Sequence, residues 1–193
     1  DALTHCIEAY TVQLHQPITD ALALKGISMI AENLEKAYEN GEDREARRNM
    51  MIASTIGGMA FISSNVGAVH AFAETVGAWF DTPHGVANSL FLPYIMEFNI
   101  PACPERFADI ADAMGIEREE SMSDEQYALK AVEYVKALNR KLNIPTIKEI
   151  KGITEERFEA IAERSANNVL SNDNARKITK EDYLELLKKA YNE

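Results

Sequence analysis

The sequence predicts an all-α fold, a compact multi-helix bundle, and three observations predict it. Apolar residues recur at three- and four-residue spacing through nearly all of the 193 residues. No run of alternating β-branched residues is long enough for a strand; "IPTIKEI", Ile144 to Ile150, comes nearest and reads as an extended connector. Gly, Pro, Asn and Asp punctuate the periodic stretches, with capping residues where helices should begin. At 46 % hydrophobic residues the chain can bury one sizeable core, so residues 1–193 are expected to form a single domain.

Taken in order, Asp1 is placed to cap a first helix running to about Leu14, with Leu3, Ile7 and Tyr10 at helical spacing. Thr19 or Asp20 is expected to cap a second, "ALALKGISMIAENLEKAYEN", which Gly41 stops. A third spans about Asp43 to Ser63, acidic at its start as the helix dipole prefers. Its Gly57-Gly58 pair costs about 1 kcal/mol per glycine against alanine, so another backbone is expected to approach closely there. "SSNVG" breaks the chain before a short helix, "AVHAFAETVGAWF", and "DTPHG" forms a turn with Pro83 setting its angle. "HGVANSLFLPYIMEFN" reads as a buried helix interrupted or kinked at Pro93. Amphipathic helices follow at Pro104–Met114, Asp124–Leu142, Glu155–Asn168 and Lys180–Tyr191, the last with a Thr179/Asp182 capping box.

The composition shifts near residue 100. Residues 1–100 are rich in Ala, Gly, Met and His, and residues 101–193 in Glu and Lys, which reads as a chemical half and a scaffold half of one domain. A net charge of −11 argues against nucleic acid and against a basic membrane-surface helix as partners. No apolar run is long enough to span a bilayer. Two cysteines, Cys6 and Cys103, make no disulfide framework and fit a reducing cytoplasm, the expected location. The chain opens at Asp1 already in a helical pattern, so it is expected to be the C-terminal piece of a longer protein.

Four residues carry the chemistry. Asp1 and His5, four apart, share one face of the first helix. His70 lies on a small-residue helix, and His84 follows the tight turn after it. Read singly, each histidine fits a core imidazole satisfied by backbone hydrogen bonds. Read together, three imidazoles and a carboxylate suit Fe²⁺, Zn²⁺, Co²⁺ or Mn²⁺, and are too nitrogen-rich for Ca²⁺ or Mg²⁺. His15 falls outside the set as a surface residue before Pro17. Cys6 points about 100° around the helix from His5 and is not counted as a ligand. Trp79 and Phe80, ahead of the turn, are assigned to packing.

"DALTHCIEAY" followed by "GMAFISSNVGAVHAFAETVGAWFDTPHGVANSLFLP" resembles the iron-containing (group III) alcohol dehydrogenases, densely from Asp1 to about Pro93. The likeness continues more loosely to "DNARKITKEDYLELLKKAY". It implies the helical C-terminal domain of that family, of the dehydroquinate synthase-like kind, with the N-terminal nucleotide-binding domain absent. It implies Asp1, His5, His70 and His84 as metal ligands, Fe²⁺ as the metal with Zn²⁺ as the alternative, and NAD(P) bound through the missing domain. A small alcohol or aldehyde is the implied substrate, and Phe61 matches a position lining the substrate cavity, although an ordinary core aromatic would look the same. Family members commonly carry a histidine four residues after the third ligand, where this chain has Glu74, a candidate proton relay. No G-x-G-x-x-G turn is present to hold a dinucleotide, so these residues alone are expected to bind metal without turning over alcohol. Association into homo-oligomers through an apolar face is also expected. Two other readings stay open: a Zn²⁺ domain of the glycerol dehydrogenase or dehydroquinate synthase kind, and a non-catalytic assembly domain with a vestigial metal site.

Overall fold

The computed structural model describes residues 1–193, folded into nine α-helices with no strand. They are α1 (Ala2–Thr11), α2 (Pro17–Glu39), α3 (Arg44–Ser64), α4 (Ala68–Phe80), α5 (His84–Asn99), α6 (Pro104–Ala113), α7 (Asp124–Lys141), α8 (Phe158–Ala166) and α9 (Lys180–Asn192). No single helix is long and apolar enough to cross a membrane. α2 and α3 form a hairpin on which α1 lies, while α4 pairs with α5, α6 with α7, and α8 with α9. One apolar cluster runs from Leu3 to Ala190 and contains the wholly buried Phe72, Phe91, Phe107, Tyr127 and Tyr183.

Several helix ends differ from expectation, each for a local reason. α1 stops at Thr11 rather than near Leu14, because Val12 turns extended and Arg106 of α6 donates to the Tyr10 carbonyl at 2.8 Å. That carbonyl is one that a helix C-terminus leaves free. α2 begins earlier than predicted, at Pro17, and its cap is Gln16 rather than Thr19 or Asp20. Proline suits the first helical position, since its fixed angle is helical and its missing N–H has no partner there anyway. Thr19 instead closes a reciprocal box, accepting from the Gln16 N–H at 3.1 Å. The supposed connector Ile144–Ile150 contains a 3-10 turn, Ile147–Glu149, boxed by Thr146 and Glu149, and is not simply extended. Glu155–Arg157 is 3-10 before α8 begins, and a further 3-10 segment at Val169–Asp173 had no counterpart in the sequence reading. The Thr179/Asp182 box on α9 is present as predicted.

α5 runs unbroken through Pro93. Proline offers no N–H to the Ser89 carbonyl one turn earlier, an omission that ordinarily interrupts a helix. Asn139 of α7 supplies the missing donor, its Nδ2 lying 2.7 Å from the Ser89 oxygen. Asn139→Ala is therefore expected to lower stability by about 1–2 kcal/mol, the cost of stranding a part-buried acceptor, read from the urea midpoint. An unchanged midpoint would mean that solvent serves the carbonyl instead.

Two features set the position of α1, α3 and α4. Cys6 on α1 is wholly buried, and a Cβ at Gly26 or Gly57 would come within 2.5 Å or 3.2 Å of its Sγ. Gly57 thus admits the close backbone approach that the glycine pair predicted, while Gly58 faces open space. Between α3 and α4 the chain turns by 107°. Its pivot, Asn65, sits at φ 73° and ψ −174°, a region that residues other than glycine avoid. The strain is held by Asn65 Nδ2 donating to Asp173 Oδ2 at 2.5 Å.

A candidate metal centre where three helices meet

Asp1 precedes α1, His5 lies in its first turns, His70 lies in the first turn of α4, and His84 opens α5. Three separate helix starts therefore bring these four side chains to one place. His5 Nε2 and His70 Nε2 stand 3.1 Å apart. Asp1 Oδ1 is 3.4 Å from His84 Nε2 and 3.9 Å from His70 Nε2. Nitrogen and oxygen atoms bound at 2.0–2.2 Å to a common tetrahedral cation are separated by about 3.4 Å, so these spacings match shared coordination. Asp1, His5 and His70 form the tightest group, with one donor atom from each all within 4.8 Å of one another. His70 is deeply buried, with 5 % of its side chain exposed, whereas His84 stands at the rim with 50 % exposed.

Asp1 occupies the N-cap position of α1 yet makes no capping hydrogen bond with its side chain. Its carboxylate turns to the cluster instead, where Asn88 Nδ2 donates to Oδ1 at 2.8 Å. The same amide nitrogen lies 3.1 Å from His84 Nε2 and 3.3 Å from His70 Nε2. Two amide hydrogens cannot serve three lone pairs fully, and the Asn88 Oδ1 is itself buried without a partner. The donor set therefore fits a cation better than it fits the amide, because one cation accepts all the lone pairs together.

Burial, and after it the neighbouring His70, holds His5 down to about 4. Burial also lowers His84. Near neutral pH both rings are uncharged, the form in which imidazole coordinates a metal. A donor set of three imidazoles and one carboxylate suits Fe²⁺, Zn²⁺, Co²⁺ or Mn²⁺.

Phe61, half-buried at the edge of the core, lies on this site, its ring stacked on His5 at 4.4 Å and 27°. Glu74 is exposed and its carboxylate accepts from Asn168 Nδ2 at 2.7 Å, with no hydrogen bond to the cluster. His15 is on the surface as predicted, 3.4 Å from Asp20. Cys6 faces the α2–α3 hairpin, and burial pushes its thiol up to about 12, which leaves it protonated and no ligand. Phe80 packs beneath Gly152, but Trp79 is exposed, against its assignment to packing. The largest groove, about 800 Å³ and lined by Tyr38, Arg47 and Met51 among others, contains none of the cluster residues.

Two residues at the site went unnoticed in the sequence. Asn88 comes four after His84, and Glu8 comes three after His5, so helical spacing alone would have placed each beside a nominated histidine. Glu8 Oε2 lies 2.5 Å from His70 Nδ1, and Glu8 Oε1 accepts from the Val69 N–H at 2.8 Å.

An all-helical domain whose helix starts assemble three imidazoles and a carboxylate defines the class of protein to which this chain is to be compared. The chain belongs to the iron-containing alcohol dehydrogenases: the family described as "Fe-containing alcohol dehydrogenase family, C-terminal" matches residues 1–191. Alcohol dehydrogenase 4 of Saccharomyces cerevisiae is 42 % identical over 194 residues, covering 99 % of this chain and 49 % of that protein. The 1,3-propanediol dehydrogenase of Citrobacter freundii is 39 % identical over 191 residues, with 99 % and 49 % covered. Among solved structures, an alcohol dehydrogenase from Oenococcus oeni superposes with a TM-score of 0.94 at 38 % identity, over 99 % of this chain and 50 % of that one. The chain spans about half the length of the curated relatives it matches.

Proposed function

We propose that this chain is the metal-carrying helical half of an NAD(P)-dependent alcohol dehydrogenase, with Asp1, His5, His70 and His84 as ligands of a divalent cation, Fe²⁺ by the family it belongs to. The observation that carries the reading is the convergence of Asp1 Oδ1 and the Nε2 atoms of His70 and His84 around one amide nitrogen, within 3.3 Å of it. A bound divalent cation supplies Lewis acidity, polarising the oxygen of a small alcohol or aldehyde. The protein's part is to hold three imidazole rings and one carboxylate in place, so that the charge of the ion would be only partly offset. The exposed side of His84 and Asp1 leaves the approach to that point open, and Phe61 walls it beside His5. Glu74, one turn beyond His70 and near enough for its charge to act on His84, is the group we assign to proton release into solvent, once its hydrogen bond from Asn168 is given up. The nicotinamide would be held by the half of the relatives that these residues do not span. Exposed Met51, Met59 and Ile62 along α3 support association with a second copy.

Anaerobic purification without added metal, followed by elemental analysis and absorption at the iron and zinc edges, tests the reading. One iron per chain with nitrogen-rich coordination is the expected result. Zinc in its place would favour the glycerol dehydrogenase-like alternative. A protein that takes up neither, even from millimolar Fe²⁺, would overturn the assignment in favour of an assembly domain with a vestigial site.

A further inference from the structure

Glu8 is a carboxylate without a lysine or arginine. Its side chain is 4 % exposed, and neither Lys nor Arg lies within ion-pairing distance of it. Both oxygens are nevertheless committed to α4: Oε1 accepts from the Val69 N–H at 2.8 Å, and Oε2 lies 2.5 Å from His70 Nδ1. The position is a helix N-terminus, where free N–H groups and the helix dipole favour negative charge. Gly67 makes the approach possible, since a Cβ there would stand 3.1 Å from Glu8 Oε1. α1 thus presents Asp1 and His5 to the cluster and, from its next turn, reaches behind His70.

We infer that Glu8 is the positioning residue for His70, accepting a hydrogen bond from its Nδ1–H and so fixing the tautomer whose Nε2 lone pair faces the metal. The inference rests on the metal-centre reading above. A carboxylate has no hydrogen to donate, so the proton shared with the ring belongs on Nδ1 in the neutral imidazole. Without that acceptor the ring would be free to place its proton on Nε2, pointing an N–H at the other donors. Holding the rear nitrogen of a ligating histidine is a recognised means of orienting it and raising its basicity. A carboxylate in that place also sets a second negative charge, beside that of Asp1, against the two positive charges of the ion.

Glu8→Gln separates this role from simple capping. The glutamine Oε1 can still accept from Val69, which preserves the cap, but its Nε2 then donates toward His70 and forces the ring proton onto Nε2. The ¹⁵N chemical shifts of imidazole-labelled, metal-free protein read the tautomer directly. The native chain should show His70 protonated on Nδ1, and the variant should show it protonated on Nε2 or exchanging between the two. Anaerobic Co²⁺ titration, followed by its d–d absorption, should show affinity reduced by about 10–100-fold in the variant. A native His70 protonated on Nε2, or a variant with native Co²⁺ affinity and native tautomer, overturns the proposal. Should the variant fail to fold, the tautomer of the native protein still decides. Should the native chain take no Co²⁺, the metal reading fails, whereas the tautomer still reports separately on Glu8.

Discussion

Replacement of His70 by alanine is expected to cut the affinity of the chain for Co²⁺ or Fe²⁺ by roughly 10²–10³-fold. A site with four protein ligands gathers about 10–16 kcal/mol from its metal, so the share of one ligand is about 3–4 kcal/mol. A second effect distinguishes this histidine from the others. His70 is the partner of Glu8 Oε2, and its loss leaves that buried oxygen without a hydrogen bond. The metal-free variant should therefore also lose about 1–3 kcal/mol of fold stability, or more if the carboxylate stays charged. His84→Ala provides the contrast. Its ring is half exposed and holds nothing behind it, so metal affinity should fall by a similar factor while the metal-free protein unfolds at the native urea midpoint. Equal destabilisation of both variants would show that the cluster is a structural core rather than an exposed donor set. Unaltered affinity in both would refute the ligand assignment.

Gly26→Ala is expected to cost the fold through packing alone, by the addition of one methyl group. The new Cβ would meet Cys6 Sγ at 2.5 Å, well inside van der Waals contact. The sulfur has no obvious retreat, because a Cβ site at Gly57 already lies 3.2 Å away and Cys6 is wholly buried. Overpacking of this kind costs about 1–3 kcal/mol. Alanine's better helix propensity returns about 1 kcal/mol, leaving a net loss of up to about 2 kcal/mol in chemical denaturation. Because α1 must shift to relieve the clash and carries both Asp1 and His5, metal affinity should fall as well. The double variant Gly26→Ala/Cys6→Ala removes the sulfur and should restore most of both losses. A single variant stabilised by the full ~1 kcal/mol of alanine's helix propensity would show that α1 and α2 are not in limiting contact.

The sequence made the order of the helices legible because each apolar stripe has helical period and most ends carry their own caps. The convergence of Asp1, His5, His70 and His84 was legible too, since Asp1 and His5 share one helix face and the other histidines lie in the motifs that carry the family resemblance. What escaped depended on partners remote in sequence. Pro93 reads locally as a break, and only the arrival of Asn139 from α7 lets α5 continue past it. Glutamine is a weak capping signal, and at Gln16 the decisive residue was its neighbour Pro17. Glu74 was expected to share the face of His70, as it does by spacing, yet its carboxylate is engaged by Asn168 from beyond α8. Glu8 and Asn88 were missed for a different reason. Each lies at helical spacing from a nominated histidine, but a carboxylate or an amide on a helix is usually a solvated one, and burial of both is a property of the packed fold.

The change of composition near residue 100 does not mark a mechanical seam. The sharp bend that aims α4 pivots on Asn65, whose strained backbone is tethered to Asp173, 108 positions downstream. Next to it, Asn174 accepts from the Ala68 N–H at 3.4 Å and exchanges hydrogen bonds with Asn99 at 2.7 Å and 3.0 Å. The short 3-10 segment there works as a strut, propping the base of the helix that carries His70 from outside. A chain cut off ahead of that strut would keep every donor atom and lose the tether that orients α4. Minimising this domain to its histidine-rich portion would consequently discard the brace along with the apparent filler.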